Sequence, residues 1–226
     1  MTALDFILHD NGVILAMDTL ALNKDDREPF KMVTKFFPIP HMNYLICGTG
    51  NMNAILDWFV FIEKNIIANG IYQLNKLTTA CIDEFMKEHN GDNSCSIYQF
   101  GLHELDHKFH GYVYRSINGF ISEEIKQGIA VKPPDAFEAD NGGIDIEPYL
   151  INNDVNKTLS TIMHKQKLHD ENLDKKQRLG IGGIIQIVYM SKDSFQISNF
   201  EYFDDYEDIH LKIMEGMDRL NKSTER

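Results

Sequence analysis

The second residue of the chain is a threonine. Its surroundings are compatible with a catalytic nucleophile and with a threonine that has no chemical role. Thr2 opens the segment MTALDFILHDNGVILAMDTL, which predicts a β-hairpin with strands at 3–9 and 13–17 and a turn at Asp10-Asn11-Gly12. A threonine hydroxyl at a chain terminus is a nucleophile that can use its own α-amine as the base. The second strand of the hairpin ends at Asp18. The hairpin alone does not decide between this chemistry and a threonine that carries none.

A second segment whose residue types could carry out chemistry is HELDH. It matches the H-E-x-x-H pattern of zinc peptidases through His103 and His107, with His110 nearby as a third ligand. In those enzymes the two histidines share one face of a helix. Here the flanking residues at 95–97 and 109–113 alternate with a period of two, which predicts the tip of a β-hairpin. A zinc hydrolase is therefore the less favoured alternative, and we expect a solvated turn, no metal site and no cofactor.

Composition limits the classes of partner. The chain has 226 residues, of which 43% are hydrophobic, and this length suits one core in a single domain over 1–226. Its formal net charge of -12 argues against nucleic acid, because phosphate backbones are bound by clustered Lys and Arg. The three cysteines are Cys47, Cys81 and Cys95, an odd and widely spaced set that predicts reduced thiols. We therefore expect a cytoplasmic protein.

No membrane segment or secretion signal is expected. The N-terminus lacks a basic region followed by a long apolar run. The longest apolar stretch, AILDWFVFIEKNIIANG, is interrupted by Asp57, Glu63 and Lys64, so it is not suited to cross a bilayer.

The order of the predicted elements favours an α+β fold. Residues 21–34 are predicted to be a polar loop, and Gly70 is predicted to stop a buried helix. The segment 119–131 is predicted to continue the same sheet as the strands before it. The other predicted elements are strands at 35–40 and 43–50, helices at 51–68, 75–89 and 148–167, a late hairpin around 191–193 and a C-terminal amphipathic helix. This order suits two antiparallel sheets with helices on their outer faces.

The N-terminal motifs resemble a known family. MTALDFILHDNGVILAMDTLA, followed by KFFPIPHMNYLICGTGN and a long helix, resembles proteasome β-subunits and their bacterial relatives, which are N-terminal-nucleophile (Ntn) hydrolases. The resemblance covers residues 2–70 in motif and element order, and GIGGIIQIVYMSKDSFQI resembles the Gly-Gly strand and hairpin of that family. Between 90 and 175 it is one of architecture alone. It implies a four-layer αββα sandwich of two antiparallel sheets flanked by helices.

The resemblance also implies roles for four residues. Thr2 would be the nucleophile once Met1 is removed, with the freed α-amine as its base. Lys35 would disfavour protonation of that amine, and Asp18 would pair with Lys35. The backbone N–H of Gly48 would stabilise the oxyanion. Each assignment follows from the match to the family motif.

Three positions complicate these assignments. Lys31 competes with Lys35, because both lie in the segment before the second strand pair. Where the family has an acidic residue and a small hydroxyl residue before the late Gly-Gly, this chain has Arg178 and Ile181. Those family residues support the amine, so their replacement favours a second hypothesis, a catalytically silent subunit that acts in assembly or interaction.

The resemblance implies partners as well. The expected activity is that of a threonine-dependent peptidase or amide hydrolase that acts on peptides or proteins. Its relatives assemble with copies of themselves, so we expect a homo-oligomer, with an ATP-driven unfoldase as a further candidate partner.

Overall fold

A computed structural model describes residues 2–23, 25–89, 91–138, 144–151 and 154–224, with side chains described as far as residue 217. The helices are α1 Met52–Asn65, α2 Ile71–Glu88, α3 Val155–Glu171 and α4 Tyr206–Thr224. The strands are β1 Leu4–His9, β2 Gly12–Asp18, β3 Leu20–Leu22, β4 Pro29–Met32, β5 Phe36–Ile39, β6 Tyr44–Gly50, β7 Cys95–Leu102, β8 Phe109–Arg115, β9 Ser122–Glu124, β10 Gly128–Lys132, β11 Ile184–Ser191 and β12 Phe195–Tyr202.

The strands form two large antiparallel sheets and a small one. The first sheet has the order β10-β1-β2-β11-β12, and the second has the order β5-β6-β7-β8-β9. Strands β3 and β4 pair with each other as a separate hairpin. The N-terminal hairpin is confirmed, with Leu4 opposite Met17 and His9 opposite Gly12. Because β1 and β2 lie in the middle of the first sheet, the residues at their ends are held on both sides.

Apolar side chains form three clusters that hold the layers of the sandwich together. One cluster lies between the two sheets and includes Phe6 and Leu15 from the first sheet and Phe100 from the second. A second cluster packs α1 and α2, through residues such as Trp58, against the outer face of the second sheet. A third packs α3 through residues such as Leu159 against the outer face of the first sheet. The four-layer α+β sandwich expected from the sequence is therefore confirmed.

The prediction that 119–131 continues one sheet is wrong. Strand β9 pairs with β8 in the second sheet, but β10 crosses over and pairs with β1 in the first. The crossover covers the edge that β1 would otherwise expose and makes β10 the edge strand of the first sheet. Local alternation predicts that a segment is a strand but does not identify the strand beside which it lies.

Two further predictions are corrected. The polar loop expected at 21–34 contains most of the β3–β4 hairpin, whose apolar residues pack with Ile209 and Ile213 of α4. Gly70 does not stop the first helix, which ends at Asn65, but is the N-cap of α2. An extended backbone at Gly70 lets the chain turn directly into α2. None of the helices in the described part of the chain has the length and hydropathy that a bilayer span requires.

Candidate active site

Asp18 lies at the centre of a buried hydrogen-bond network. It is the last residue of β2 and is 0% exposed. Its Oδ1 accepts from the Thr2 hydroxyl at 2.6 Å and from the Ala3 N–H at 3.0 Å. Its Oδ2 accepts from Lys35 Nζ at 2.9 Å and from the Gly182 N–H at 3.3 Å. A buried carboxylate needs such partners, and four donors from three segments of the chain hold it in one orientation.

Lys35 is the lysine that reaches Asp18. It precedes β5, is 3% exposed, and donates to the Leu20 carbonyl oxygen at 2.6 Å in addition to Asp18. Burial lowers the pKa of Lys35, and the neighbouring charge and hydrogen bond of Asp18 oppose that change. The competing candidate, Lys31, is exposed on β4, with its ammonium 5.7 Å from the centre of the Phe30 ring.

Thr2 shares the carboxylate with Lys35. Its side chain is 4% exposed, and it enters β1 beside the end of β2, where the hairpin register places it near Asp18. Thr2 binds one carboxylate oxygen and Lys35 binds the other. The threonine hydroxyl is therefore fixed relative to a buried cation. Met1, whose removal is part of the sequence prediction, lies outside the described residues.

A cavity of about 600 Å³ lies against this network. Thr2, Lys35 and Gly48 all contribute to its wall. Asp18 stays behind that wall because it has no exposed surface. The structure thus brings three of the four predicted residues to one cavity, with the fourth directly bonded to two of them.

Gly48 occupies a crowded position on β6. A Cβ atom there would come within 2.7 Å of the Ser96 carbonyl oxygen and of Ile55 Cδ1. The absence of a side chain therefore lets β6 pack against β7 and α1. The neighbouring Gly50, which also lines the cavity, has a φ of +104°. Packing accounts for glycine at 48 independently of any role for its N–H group.

The late glycine segment, residues 180–183, contributes hydrogen bonds to the Asp18 network from a distant part of the sequence. The carbonyl oxygen of Gly182 accepts from the N–H groups of Thr19 and Leu20, and its own N–H donates to Asp18. The Thr19 hydroxyl accepts from the Ile184 N–H at 2.8 Å. Sequence reasoning recognised the glycine pair but missed Thr19, for which Asp-Thr at a strand end is the available signal.

The two departures from the family motif have structural roles. Arg178 donates to the carbonyl oxygens of Leu173 and Glu171 at 2.9 and 2.6 Å, and so satisfies the end of α3. Ile181 is buried in the cluster beneath α3. An acid that sequence reasoning missed, Asp170 of α3, accepts from three consecutive N–H groups at residues 179–181. Its position in the sequence gives no signal for this contact, because the loop returns to it by tertiary folding.

The HELDH segment forms the turn between β7 and β8, as predicted. His103 and His107 do not lie on a helix, and His107 has a φ of 58° in the turn. The helical geometry of zinc peptidases is therefore absent from this segment.

Comparison with known proteins finds similarity in structure alone. No family model matches the chain, and no curated protein matches its sequence. A mutant form of Anbu from Hyphomicrobium sp. strain MC1 superposes with a TM-score of 0.60 at 13% identity, covering 100% of this chain and 98% of that one. Anbu (ancestral beta-subunit) from Yersinia bercovieri superposes with a TM-score of 0.58 at 11% identity, covering 99% of this chain and 97% of that one.

These findings correct the family assignment made from the N-terminal motifs. Assignment to the proteasome β-subunit-like Ntn family is wrong as drawn, because no family model or curated protein supports it and the structural neighbours are only 11–13% identical. The chain shares its fold with the two Anbu proteins, which are distant structural neighbours.

Proposed function

We propose that this protein is a threonine-dependent amide hydrolase that cleaves peptides, with Thr2 as the nucleophile after Met1 is removed. The observation that supports the proposal is the buried chain Thr2–Asp18–Lys35 in the wall of a cavity of about 600 Å³. Such a cavity can admit a peptide segment beside the hydroxyl.

We propose the freed α-amine of Thr2 as the base. Both oxygens of Asp18 already accept hydrogen bonds, so this carboxylate orients Thr2 and Lys35. A free α-amine has an ordinary pKa of about 7.7–8.0, close to neutral pH. The nearby positive charge of Lys35 disfavours the protonated amine and keeps it able to accept a proton.

The proposed reaction has two steps. The amine takes the hydroxyl proton while Thr2 Oγ1 attacks the carbonyl carbon, and the proton then passes to the leaving amide nitrogen. The resulting ester is hydrolysed by water, which returns the hydroxyl proton to Thr2. The backbone N–H of Gly48, in the same cavity wall, is the proposed donor to the oxyanion.

We further propose that residues 1–226 act as a single domain within a homo-oligomer. One structural neighbour, Anbu from Yersinia bercovieri, is described as an ancestral β-subunit, which supports a subunit role. An ATP-driven unfoldase is the partner that would supply unfolded protein chains to an enclosed assembly of this kind.

The test combines mass and labelling. The intact mass of the active protein should lack one methionine residue, and a threonine-reactive electrophile should modify one site. Thr2→Ala should lose both turnover and labelling, because the oxygen is gone while the amine remains. Thr2→Ser keeps the oxygen and should retain part of the activity. Full activity in Thr2→Ala would refute the proposal.

A catalytically silent subunit is the second candidate. It is favoured by Arg178 and Ile181, which support α3 instead of the threonine amine. This hypothesis expects Met1 to remain in the intact protein and the Thr2 variants to fold and assemble like the parent. Retained Met1 together with unaltered assembly in Thr2→Ala would bring this candidate forward.

A further inference from the structure

The turn between β7 and β8 gathers three metal-ligating side chains that the proposed reaction does not use. A nitrogen from His103, a nitrogen from His110 and a carboxylate oxygen of Asp106 all lie within 4.8 Å of one another. The two imidazole rings are 4.5 Å apart between centroids. His107, which completes the H-E-x-x-H pattern in the sequence, is exposed in the turn and is not part of this cluster.

The strand register explains why these residues meet. His103 donates its N–H to the carbonyl oxygen of Lys108, while His110 lies opposite Gly101. The two histidines are therefore diagonal neighbours across the end of the hairpin, a separation at which long side chains touch. Asp106 reaches both from within the turn.

The spacings fit a small metal ion. His103 Nδ1 lies 3.3 Å from Asp106 Oδ1, and His110 Nε2 lies 3.0 Å from Asp106 Oδ2. Zinc binds nitrogen and oxygen at about 2.0–2.2 Å, so two ligands of a tetrahedral ion are about 3.3 Å apart. The two distances between histidine and aspartate match this value, whereas separations of up to 4.8 Å within the cluster have to shorten by rotation of a side chain when the ion binds.

The hydrogen bonds around the cluster indicate which ring nitrogens are available to a metal ion. His103 Nδ1 accepts from the Leu105 N–H at 3.3 Å, so it carries a lone pair, which has to leave this long hydrogen bond to bind a metal ion. His110 Nδ1 lies 2.8 Å from Glu124 Oε1 and donates to it when that nitrogen is protonated. In the neutral ring the other nitrogen then carries a lone pair that faces Asp106. A divalent cation placed between the two ring nitrogens and Asp106 would be bound by all three side chains.

We propose that His103, Asp106 and His110 bind a divalent transition-metal ion such as Zn²⁺, with Glu124 as the positioning residue that orients His110. A carboxylate on the distal nitrogen of a ligating histidine is the usual outer partner in such sites. The side chains of His103, His110 and Asp106 are 12%, 21% and 43% exposed, so one side of the cluster faces solvent and a water can complete the coordination.

The ion would stabilise the junction between the hairpin and α2. Glu104, inside the same turn, accepts from the N–H groups of Tyr72 and Gln73 at 3.1 and 2.8 Å. The Tyr72 ring also packs against His103 at 5.2 Å between centroids. Fixing the turn therefore fixes the first turn of α2. The cavity of Thr2 includes Ser94, just before β7, so this site lies a strand length away, about 25 Å.

The experiment titrates chelator-treated, full-length protein with Zn²⁺ at neutral pH by calorimetry, and repeats the titration with Co²⁺ to record its visible spectrum. We expect one ion per chain, absorption typical of tetrahedral Co²⁺, and a higher melting temperature with zinc. His103→Gln and His110→Gln should each weaken binding at least 100-fold. Glu124→Gln should weaken it about 10- to 100-fold, because it acts through His110.

His107→Gln is the matched control, since it removes a histidine of the same turn that is outside the cluster. It should bind zinc like the parent. Absence of saturable binding would overturn the proposal. Equal weakening in His107→Gln and His110→Gln, or binding that survives His103→Gln and His110→Gln, would overturn it as well. None of these readouts depends on Thr2.

Discussion

The buried pair of Lys35 and Asp18 is the feature on which the proposed chemistry depends most. Lys35→Ala should lower the turnover number about 10²- to 10⁴-fold, because the amine then holds its proton more tightly. It should also destabilise the protein by about 3–5 kcal/mol, since Asp18 remains as a buried charge without its cation. Activity per folded molecule, with urea unfolding measured in parallel, separates the two effects.

Lys31→Ala is the control for this variant. It removes a positive charge from the wall of the same cavity without touching Asp18. We expect a much smaller change in turnover and stability. Equal losses in the two variants would show that the general charge of the cavity matters, and would argue against a specific role for Lys35.

A second buried acid, Asp5 on β1, makes stability depend on pH. Burial raises the pKa of Asp5 well above its ordinary value, with a smaller contribution from Asp18 in the same direction. Its Oδ1 accepts from Gln166 Nε2 at 2.8 Å, whereas Asp5 Oδ2 and Gln166 Oε1 have no partner within the described residues. A proton on Asp5 Oδ2 can satisfy both orphaned atoms. We therefore infer that the neutral acid is the form that fits the fold.

The sign of the pH effect follows from this raised pKa. The folded state binds the proton of Asp5 more tightly than the unfolded chain does. The stabilisation that protonated Asp5 contributes is therefore complete below about pH 3.9, the ordinary pKa of aspartate, and is lost as pH rises through the pKa of the folded state. Asp5→Asn keeps the pairing with Gln166 without a charge and should stabilise the protein at pH 8 by about 1–3 kcal/mol. Urea unfolding at pH 5 and pH 8 should show a smaller gain at pH 5. A constant difference between variant and parent would contradict the inference.

At the level of elements, the late glycine segment couples β11 to the end of β2. Gly183 has a φ of +84°, and a Cβ there would come within 2.5 Å of the Thr19 hydroxyl and 2.7 Å of Met32 Sδ. Gly183→Ala should cost about 1–2 kcal/mol for its backbone conformation and about 1–3 kcal/mol more for the crowding. Because the crowding reaches the residue after Asp18, labelling of Thr2 should fall as well.

Gly119→Ala isolates the conformational part of this cost. Gly119 has a φ of +69°, yet nothing lies within 4 Å of the position its Cβ would take. Urea unfolding should show only the loss of about 1–2 kcal/mol that the backbone conformation causes, with labelling of Thr2 unchanged. If both variants lose the same stability, the contact between Gly183 and Thr19 contributes little.

Considered as a whole molecule, the protein carries a net charge of -12, which should make the proposed self-assembly depend on salt. Repulsion between like-charged copies is screened when ionic strength rises, so assembly should strengthen between about 0.05 and 0.3 M salt. Native mass spectrometry and light scattering over this range test the expectation. A monomer at every salt concentration and at micromolar protein would contradict it.

The elements that could be predicted from sequence are those defined by neighbouring residues. Alternation and a turn of Asp10-Asn11-Gly12 are sufficient for the first hairpin, and the hairpin places Thr2 beside Asp18. The partner of β10 and the contact between Gly182 and Asp18 were not predictable, because they join segments more than 100 residues apart. The family motif assigned the role to Lys35, but the exclusion of Lys31 required the β3–β4 hairpin, which was predicted to be a loop and which exposes Lys31.

The crossover order of the first sheet also bears on when Met1 would be removed during synthesis. The ribosome completes β1 and β2 early, but Gly182, which binds Asp18, follows 164 residues later. At about 5–20 residues per second, that interval lasts roughly ten to thirty seconds. Until β10 is made, the hairpin that contains Thr2 lacks both flanking strands, and the proposed removal of Met1 by an aminopeptidase is favoured during this period. Once β10 and β11 have docked, Thr2 is buried, so the proposed removal of Met1 would have to compete with the completion of folding.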